Sequence, residues 1–156
     1  MRVIGFRVRK DHFRYAVLEL DAGGNVLWLN RTDEHKWTVP RAATTKSKAL
    51  IEVHREVTRV IAKYSPSEIV IKAADAMRGM KPSPERVALE AVIMLAAEQL
   101  HVGSSERKYT NLTSKAEPIN SGTVRTYAQR FVQPLDNGWD DEIADAIAVA
   151  VKALGK

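Results

Sequence analysis

The stretch VIGFRVRKDHFRYAVLELDAGGNVLWL covers residues 3–29 and contains three short runs rich in apolar residues. These runs are Val3–Val8, Tyr15–Leu20 and Val26–Leu29, with polar or glycine-containing turns between them. Apolar runs of this length between turn-forming residues are typical of strands joined by tight connections. The chain therefore begins with a predicted β-meander, of which one face is expected to be covered by helices and the other at least partly covered.

The periodicity changes from strand to helix at Thr45. From there to Tyr64, apolar residues recur every three or four positions while charged residues occupy the opposite face, which predicts an amphipathic helix. Ser65-Pro66-Ser67 ends the helix, and Ile69-Val70-Ile71 follows as a short, wholly apolar strand. Because such strands are usually buried in parallel arrangements, the helix is predicted to cross over between two strands of one sheet.

The second half of the chain contains further helical segments and one more strand. Ser83 can cap a helix with Pro84 at its first position, and the apolar residues that follow on nearly every side predict that this helix is well buried. The remaining predictions are a loop over residues 31–43, an end of the capped helix near Leu100, a strand near residues 108–111, a helix from Ser121 or Thr123 to Phe131, and a last helix over residues 141–154.

Composition limits the class of protein. The chain of 156 residues has no cysteine, which excludes disulfide scaffolds, thiolate zinc sites and thiol catalysis. The longest apolar run, Ala91–Ala97, is far shorter than the roughly 20 residues of a membrane span, so a cytoplasmic location is expected. The formal net charge is +5 although five acidic residues fall within residues 136–145, so the rest of the chain is more basic still. A basic surface suits an anionic partner such as nucleic acid.

The order of elements and the last helix together resemble a known superfamily. Three meander strands followed by alternating helices and two more strands is the ribonuclease H-like order, an α/β fold with a mixed five-stranded sheet and helices on both faces. Residues 1–156 are then predicted to form one domain. The segment DEIADAIA at residues 141–148 looks like the acidic helix of the RuvC-like branch, which includes bacterial Holliday-junction resolvases. The resemblance implies that Glu142 and Asp145 match its two metal-binding carboxylates on this helix.

Two other positions depart from the pattern of that branch. The resemblance implies a metal-binding Asp in the first strand, where this chain has Arg7, and a Glu after the apolar strand, where it has Lys72 or, with a shift of one residue, Ala73. Two-metal catalysis needs several converging carboxylates, and an arginine and a lysine bring positive charge instead. The sequence therefore predicts a catalytically degenerate nuclease-like site, in which Arg7 and Lys72 pair with Glu142 and Asp145 and no cofactor is expected.

An active site with rearranged ligands remains an alternative. Asp75 lies four residues beyond Ile71 and could join Glu142 and Asp145 as a catalytic carboxylate, with Mg²⁺ or Mn²⁺ as the cofactor of an endonuclease or resolvase. Asp11, in a predicted turn, is a weaker substitute. The acidic first turn of the last helix also has a purely structural interpretation, since acidic residues there stabilise any helix.

The leading functional hypothesis is a nucleic-acid-binding pseudo-nuclease. Its phosphate contacts are assigned to basic residues along the strand ends and the loop that follows the apolar strand: Arg7, Arg9, Lys72, Arg78 and Lys81. A protein-interaction module without a nucleic-acid role is a third hypothesis. The sequence leaves a homodimer open and identifies no surface for one.

Overall fold

The computed structural model describes residues 1–75, 81–115 and 117–156. It contains six strands and five helices in these ranges. In chain order they are β1 (Arg2–Val8), β2 (His12–Leu20), β3 (Val26–Trp28), β4 (Lys36–Thr38), α1 (Lys46–Tyr64), β5 (Glu68–Lys72), α2 (Pro84–Gln99), β6 (Gly103–Arg107), α3 (Tyr109–Leu112), α4 (Val124–Gln129) and α5 (Asp141–Ala153).

The strands form one mixed sheet in the order β3-β2-β1-β5-β6. Strand β1 is antiparallel to β2 and parallel to β5, and β5 is parallel to β6. The carboxyl ends of β1, β5 and β6 therefore meet at one edge of the sheet, and α1 makes the predicted crossover between β1–β4 and β5. Arg7 and Lys72 lie at this common edge.

The prediction of five strands is wrong by one. Residues 36–38, expected to be loop, form β4, which pairs with β2 on the same edge as β3. The Trp37 ring is partly buried and stacks on Phe13 with 5.4 Å between the centroids, so one aromatic contact supports a strand in an otherwise polar segment.

The strand expected near residues 108–111 was also misplaced. Strand β6 ends at Arg107, and residues 109–112 form the short helix α3. The first turn of α3 is fixed by two side chains: Asp75 accepts a hydrogen bond from the backbone N–H of Tyr109, and Asn111 accepts one from Lys108. These bonds satisfy donors that the first turn of a helix leaves without partners.

Helices cover both faces of the sheet, as predicted. On one face β1 and β2 pack with α3, α4 and α5, and on the other they pack with α1 and α2. Ser83 caps α2 and Pro84 begins it, which also agrees with the prediction. The expectation that α2 is well buried is only half right, because Val87 is 46% exposed and Leu95 is 52% exposed.

Gly5 sets the distance between α5 and the sheet. A Cβ atom at this position would lie 1.9 Å from the backbone oxygen of Ala146, far inside van der Waals contact. Only a glycine lets the helix pack this closely on β1. The close approach places Asp145, the neighbour of Ala146, over the carboxyl end of β1.

Candidate functional site

The carboxyl ends of β1 and β5 and the first turns of α5 form the candidate site. Arg7 lies near the end of β1 and Lys72 is the last residue of β5. Glu142 and Asp145 lie on α5, and the side chain of Asp140 caps that helix by accepting a hydrogen bond from the N–H of Ile143.

Arg7 and Asp145 form a buried ion pair. The Arg7 Nε atom is 3.0 Å from Asp145 Oδ2, and the two side chains are only 12% and 3% exposed. The Nε–H is not aligned with a hydrogen-bond acceptor, so the attraction is mainly between charges. The Tyr109 hydroxyl donates to the other carboxylate oxygen, Asp145 Oδ1, at 2.6 Å. Burial raises the pKa of Asp145, and the Arg7 guanidinium and the Tyr109 hydroxyl oppose that rise.

Lys72 binds Asp75 beneath the site. The Nζ atom donates to the Ala73 carbonyl at 2.9 Å, forms an ion pair with Asp75, and lies 3.8 Å from the centroid of the Tyr109 ring. Burial lowers the pKa of Lys72, while the hydrogen bond to Asp75 opposes that change. The residue is 0% exposed, which corrects two predictions. Lys72 has no surface for contact with a phosphate in this structure, and it pairs with Asp75 rather than with Glu142 or Asp145.

Glu142 is held by a separate set of partners. Arg9 Nε donates to Glu142 Oε1 at 2.6 Å, and His12 Nε2 is 2.8 Å from Oε2. The other ring nitrogen of His12 lies 2.8 Å from Asp11 Oδ1, so the imidazole bridges two carboxylates. Burial alone would raise the pKa of Glu142, but the bonds from His12 and Arg9 outweigh it and lower that pKa. Glu142 and Asp145 thus bind different cations, and Asp11 is engaged by His12.

These residues do not fit a divalent cation. Both oxygens of Asp145, Asp75 and Glu142 already have a partner, either a hydrogen-bond donor or a cation in an ion pair. Across residues 1–75, 81–115 and 117–156, no group of three or more acidic or histidine side chains is arranged to hold a metal ion. A Mg²⁺ or Mn²⁺ ion would have to displace Arg7 or Lys72, both of which repel it.

An open cleft of about 780 Å³ lies against this network. Among the residues that the structure describes, four cationic side chains line it, Arg7, Arg9, Lys81 and Arg86, and one acidic side chain does, Asp75. Tyr109, Asn120 and Ser121 also line it. The predicted contact residues Arg7, Arg9 and Lys81 are therefore brought together in one cleft, while Arg78 lies outside the described residues.

Arg86 and Tyr109 are two site residues that sequence reasoning missed. Arg86 donates to Glu90 at 2.8 Å and to the Lys72 carbonyl at 3.0 Å, which ties α2 to the end of β5. An arginine and a glutamate four residues apart on a mostly apolar helix is a signal that could have identified this pair. The sequence contains no comparable signal for Tyr109, whose role depends on the position of α3.

Comparison with solved structures identifies the fold at low sequence identity. Thermus thermophilus RuvC matches with a TM-score of 0.80 at 14% identity, over 99% of this chain and 94% of that chain. RuvC from the same organism in complex with Holliday junction substrate matches with a TM-score of 0.76 at 15% identity, with the same coverage of 99% and 94%. The fold is that of RuvC.

The RuvC fold confirms the ribonuclease H-like α/β class predicted from the order of elements. The fowlpox virus Holliday junction resolvase also matches, with a TM-score of 0.61 at 13% identity over 99% of this chain and 98% of that chain. No protein-family model and no curated protein matches the sequence. At these identities the RuvC fold is shared, while the chemistry has to be argued from the residues of this chain.

Proposed function

We propose that this chain is a nucleic-acid-binding protein of RuvC fold whose nuclease site is catalytically degenerate. The observation that carries the proposal is the buried Arg7–Asp145 pair, 3.0 Å between Nε and Oδ2, at the end of β1. A guanidinium is always charged at physiological pH and cannot leave the site by deprotonation. In this pair a side chain of the protein, Arg7, balances the charge of Asp145 in the place of a metal ion.

The basic cleft supports binding of a polyanion. Arg9 and Lys81 are exposed at its surface, whereas Arg7 and Arg86 are largely buried and contribute positive potential from below. Cations clustered in a concave surface attract phosphate oxygens regardless of base sequence. Arg9 and Lys81 are therefore the proposed direct contacts, and Lys72 supports the cleft floor without touching the ligand.

Branched DNA belongs among the ligands to be tested. Two neighbours of the same fold are described with such a ligand: Thermus thermophilus RuvC with Holliday junction substrate, and the fowlpox virus resolvase with Holliday junction DNA. The alternative of an active endonuclease requires Asp75, Glu142 and Asp145 to release their present partners, which none of the observed contacts favours.

Binding is expected to be strongly salt-dependent. In fluorescence anisotropy titrations with single-stranded, duplex and four-way-junction DNA and RNA, each phosphate contact should contribute about −0.7 to −0.9 to the slope of log K against log salt concentration. Lys81→Gln should remove about one such contact and weaken binding about fivefold at 0.1 M salt. Lys156→Gln, at the opposite end of α5, is the matched control and should change nothing. Absence of binding to every ligand at low salt would end the proposal.

A homodimer remains a proposal with one surface to test. Val87, Ala91 and Leu95 follow at intervals of four on α2 and are all exposed, which gives the helix an apolar stripe. We expect a second copy of the chain to cover it. In sedimentation velocity, Leu95→Asp should lower the sedimentation coefficient of a dimeric wild type, and a monomeric wild type would contradict the assignment.

None of the helices in the described residues is both long and apolar enough to cross a membrane. A cytoplasmic location stays a prediction.

A further inference from the structure

The basic cleft continues beyond the candidate site. It shares Arg9, Pro82 and Arg86 with an adjoining depression of about 410 Å³. That depression in turn shares Lys10 and Asp11 with a narrower one of about 210 Å³, which reaches Lys46 in the first turn of α1. The three depressions therefore adjoin one another from the end of β5, past the turn between β1 and β2, to the start of α1. We call the last part, from Lys10 to Lys46, the hairpin groove.

The two lysines of the hairpin groove are available to an anion. Lys10 and Lys46 are both exposed, and among the described residues neither has a carboxylate within ion-pair distance. The cations farther along α1 differ, because Arg55, Arg59 and Lys63 are each paired with a nearby acid. A cation without an internal partner gains more from a phosphate, since no existing ion pair has to be broken.

Most acidic side chains along the path already have a side-chain partner. Glu142 is bound by Arg9 and His12, and Asp11 is bound by His12. Glu85, in the first turn of α2, is exposed and lines the hairpin groove opposite the two lysines. This carboxylate repels a polyanion. Removal of its charge should therefore strengthen binding, whereas removal of a lysine should weaken it.

The floor of the hairpin groove is apolar. Val39, Leu50 and Leu89 line it together with two alanines. Single-stranded nucleic acid exposes its sugars and bases as well as its phosphates, so a groove with cations at its rim and apolar side chains on its floor can contact all three. A duplex presents mainly phosphates at its exterior and would leave this floor unused.

We propose that a single strand of nucleic acid runs from the cleft into the hairpin groove, with phosphates on Lys10 and Lys46 and its sugars and bases on the apolar floor. This proposal rests on the nucleic-acid binding proposed above and adds to it a path and a strand type.

The test compares short and long single strands. Anisotropy titrations would use labelled single-stranded DNA of about 4 and about 15 nucleotides, lengths that span one small binding site and an extended one. The double variant Lys10→Gln/Lys46→Gln should weaken binding of the long strand about 25-fold at 0.1 M salt and reduce its salt slope by about 1.4, the effect of two lost contacts. Binding of the short strand to the cleft should be unchanged. Glu85→Gln should tighten binding of the long strand only.

The control is Lys152→Gln/Lys156→Gln, which removes the same charge at the far end of α5. If the long strand loses no more affinity with the groove variant than with this control while both strands still bind, the hairpin groove is not the path. A loss confined to duplex DNA would overturn the assignment of a single strand. If wild type binds neither single strand at low salt but still binds duplex or four-way-junction DNA, this proposal fails and the proposed function stands. If it binds none of these ligands, both fail.

Discussion

The double variant Arg7→Asp/Lys72→Glu is expected to unfold far more readily than wild type unless Mn²⁺ is present. Each substitution removes a buried cation and leaves its partner, Asp145 or Asp75, beside a new carboxylate. Breaking one buried ion pair costs about 3–5 kcal/mol, and like charges at this distance add to that cost. A divalent cation binds such a cluster of carboxylates and restores stability by binding only the folded state.

The measurement is thermal unfolding with and without 1–5 mM Mn²⁺, followed by calorimetric titration of the variant. The matched control is Arg55→Asp/Lys63→Glu on the exposed face of α1, which makes the same change of charge against Glu52 and Asp33. The control should lose at most about 1–2 kcal/mol and show no response to Mn²⁺. If Mn²⁺ stabilises Arg7→Asp/Lys72→Glu no more than it stabilises the control, these carboxylates do not converge.

Gly5→Ala should have the second largest effect, a loss of about 4 kcal/mol or more of the free energy of unfolding. The added methyl group would lie 1.9 Å from the Ala146 oxygen, and a backbone atom in the middle of α5 cannot move aside as a flexible side chain can. Relief requires α5 to move away from β1, which also separates Asp145 from Arg7. Urea denaturation gives the change in stability.

Gly103→Ala is the control for that experiment. Gly103 also lies in a strand, β6, but the nearest atom to an added Cβ is 3.7 Å away, an ordinary contact. We expect a change within about 1 kcal/mol. If the two substitutions lower the free energy of unfolding equally, the close packing of α5 on β1 does not depend on glycine at position 5.

The long elements could be predicted from sequence because local signals and burial agree in them. Helix α1 shows sustained periodicity, α2 begins at Ser83 and Pro84 as its capping pattern requires, and α5 follows an acidic cap. Strands β4 and β6 have the polar sequences KWT and GSSER, without the apolar run that marks β3 and β5, and their positions depend on contacts with distant parts of the chain. Local patterns carry little information about such contacts.

The same limit applies to the site. That Arg7 pairs with a carboxylate of α5 follows from charge and from the element order, which brings the end of β1 to the start of α5. Glu142 and Asp145 were expected to pair with Arg7 and Lys72, yet Glu142 binds Arg9 and His12 instead. The choice between such partners depends on side-chain geometry of about 1 Å, which neither spacing nor charge determines.

Calorimetric titration of wild type with Mn²⁺, paired with a cleavage assay on four-way-junction and duplex DNA, tests the central claim most directly. The charge-neutralised site predicts no heat beyond dilution and no cleavage, because Arg7 and Lys72 hold the carboxylates that a metal ion would need. Tight Mn²⁺ binding by wild type, together with cleavage that is lost in Asp145→Asn, would contradict the account and show that the site is an active metal-dependent nuclease.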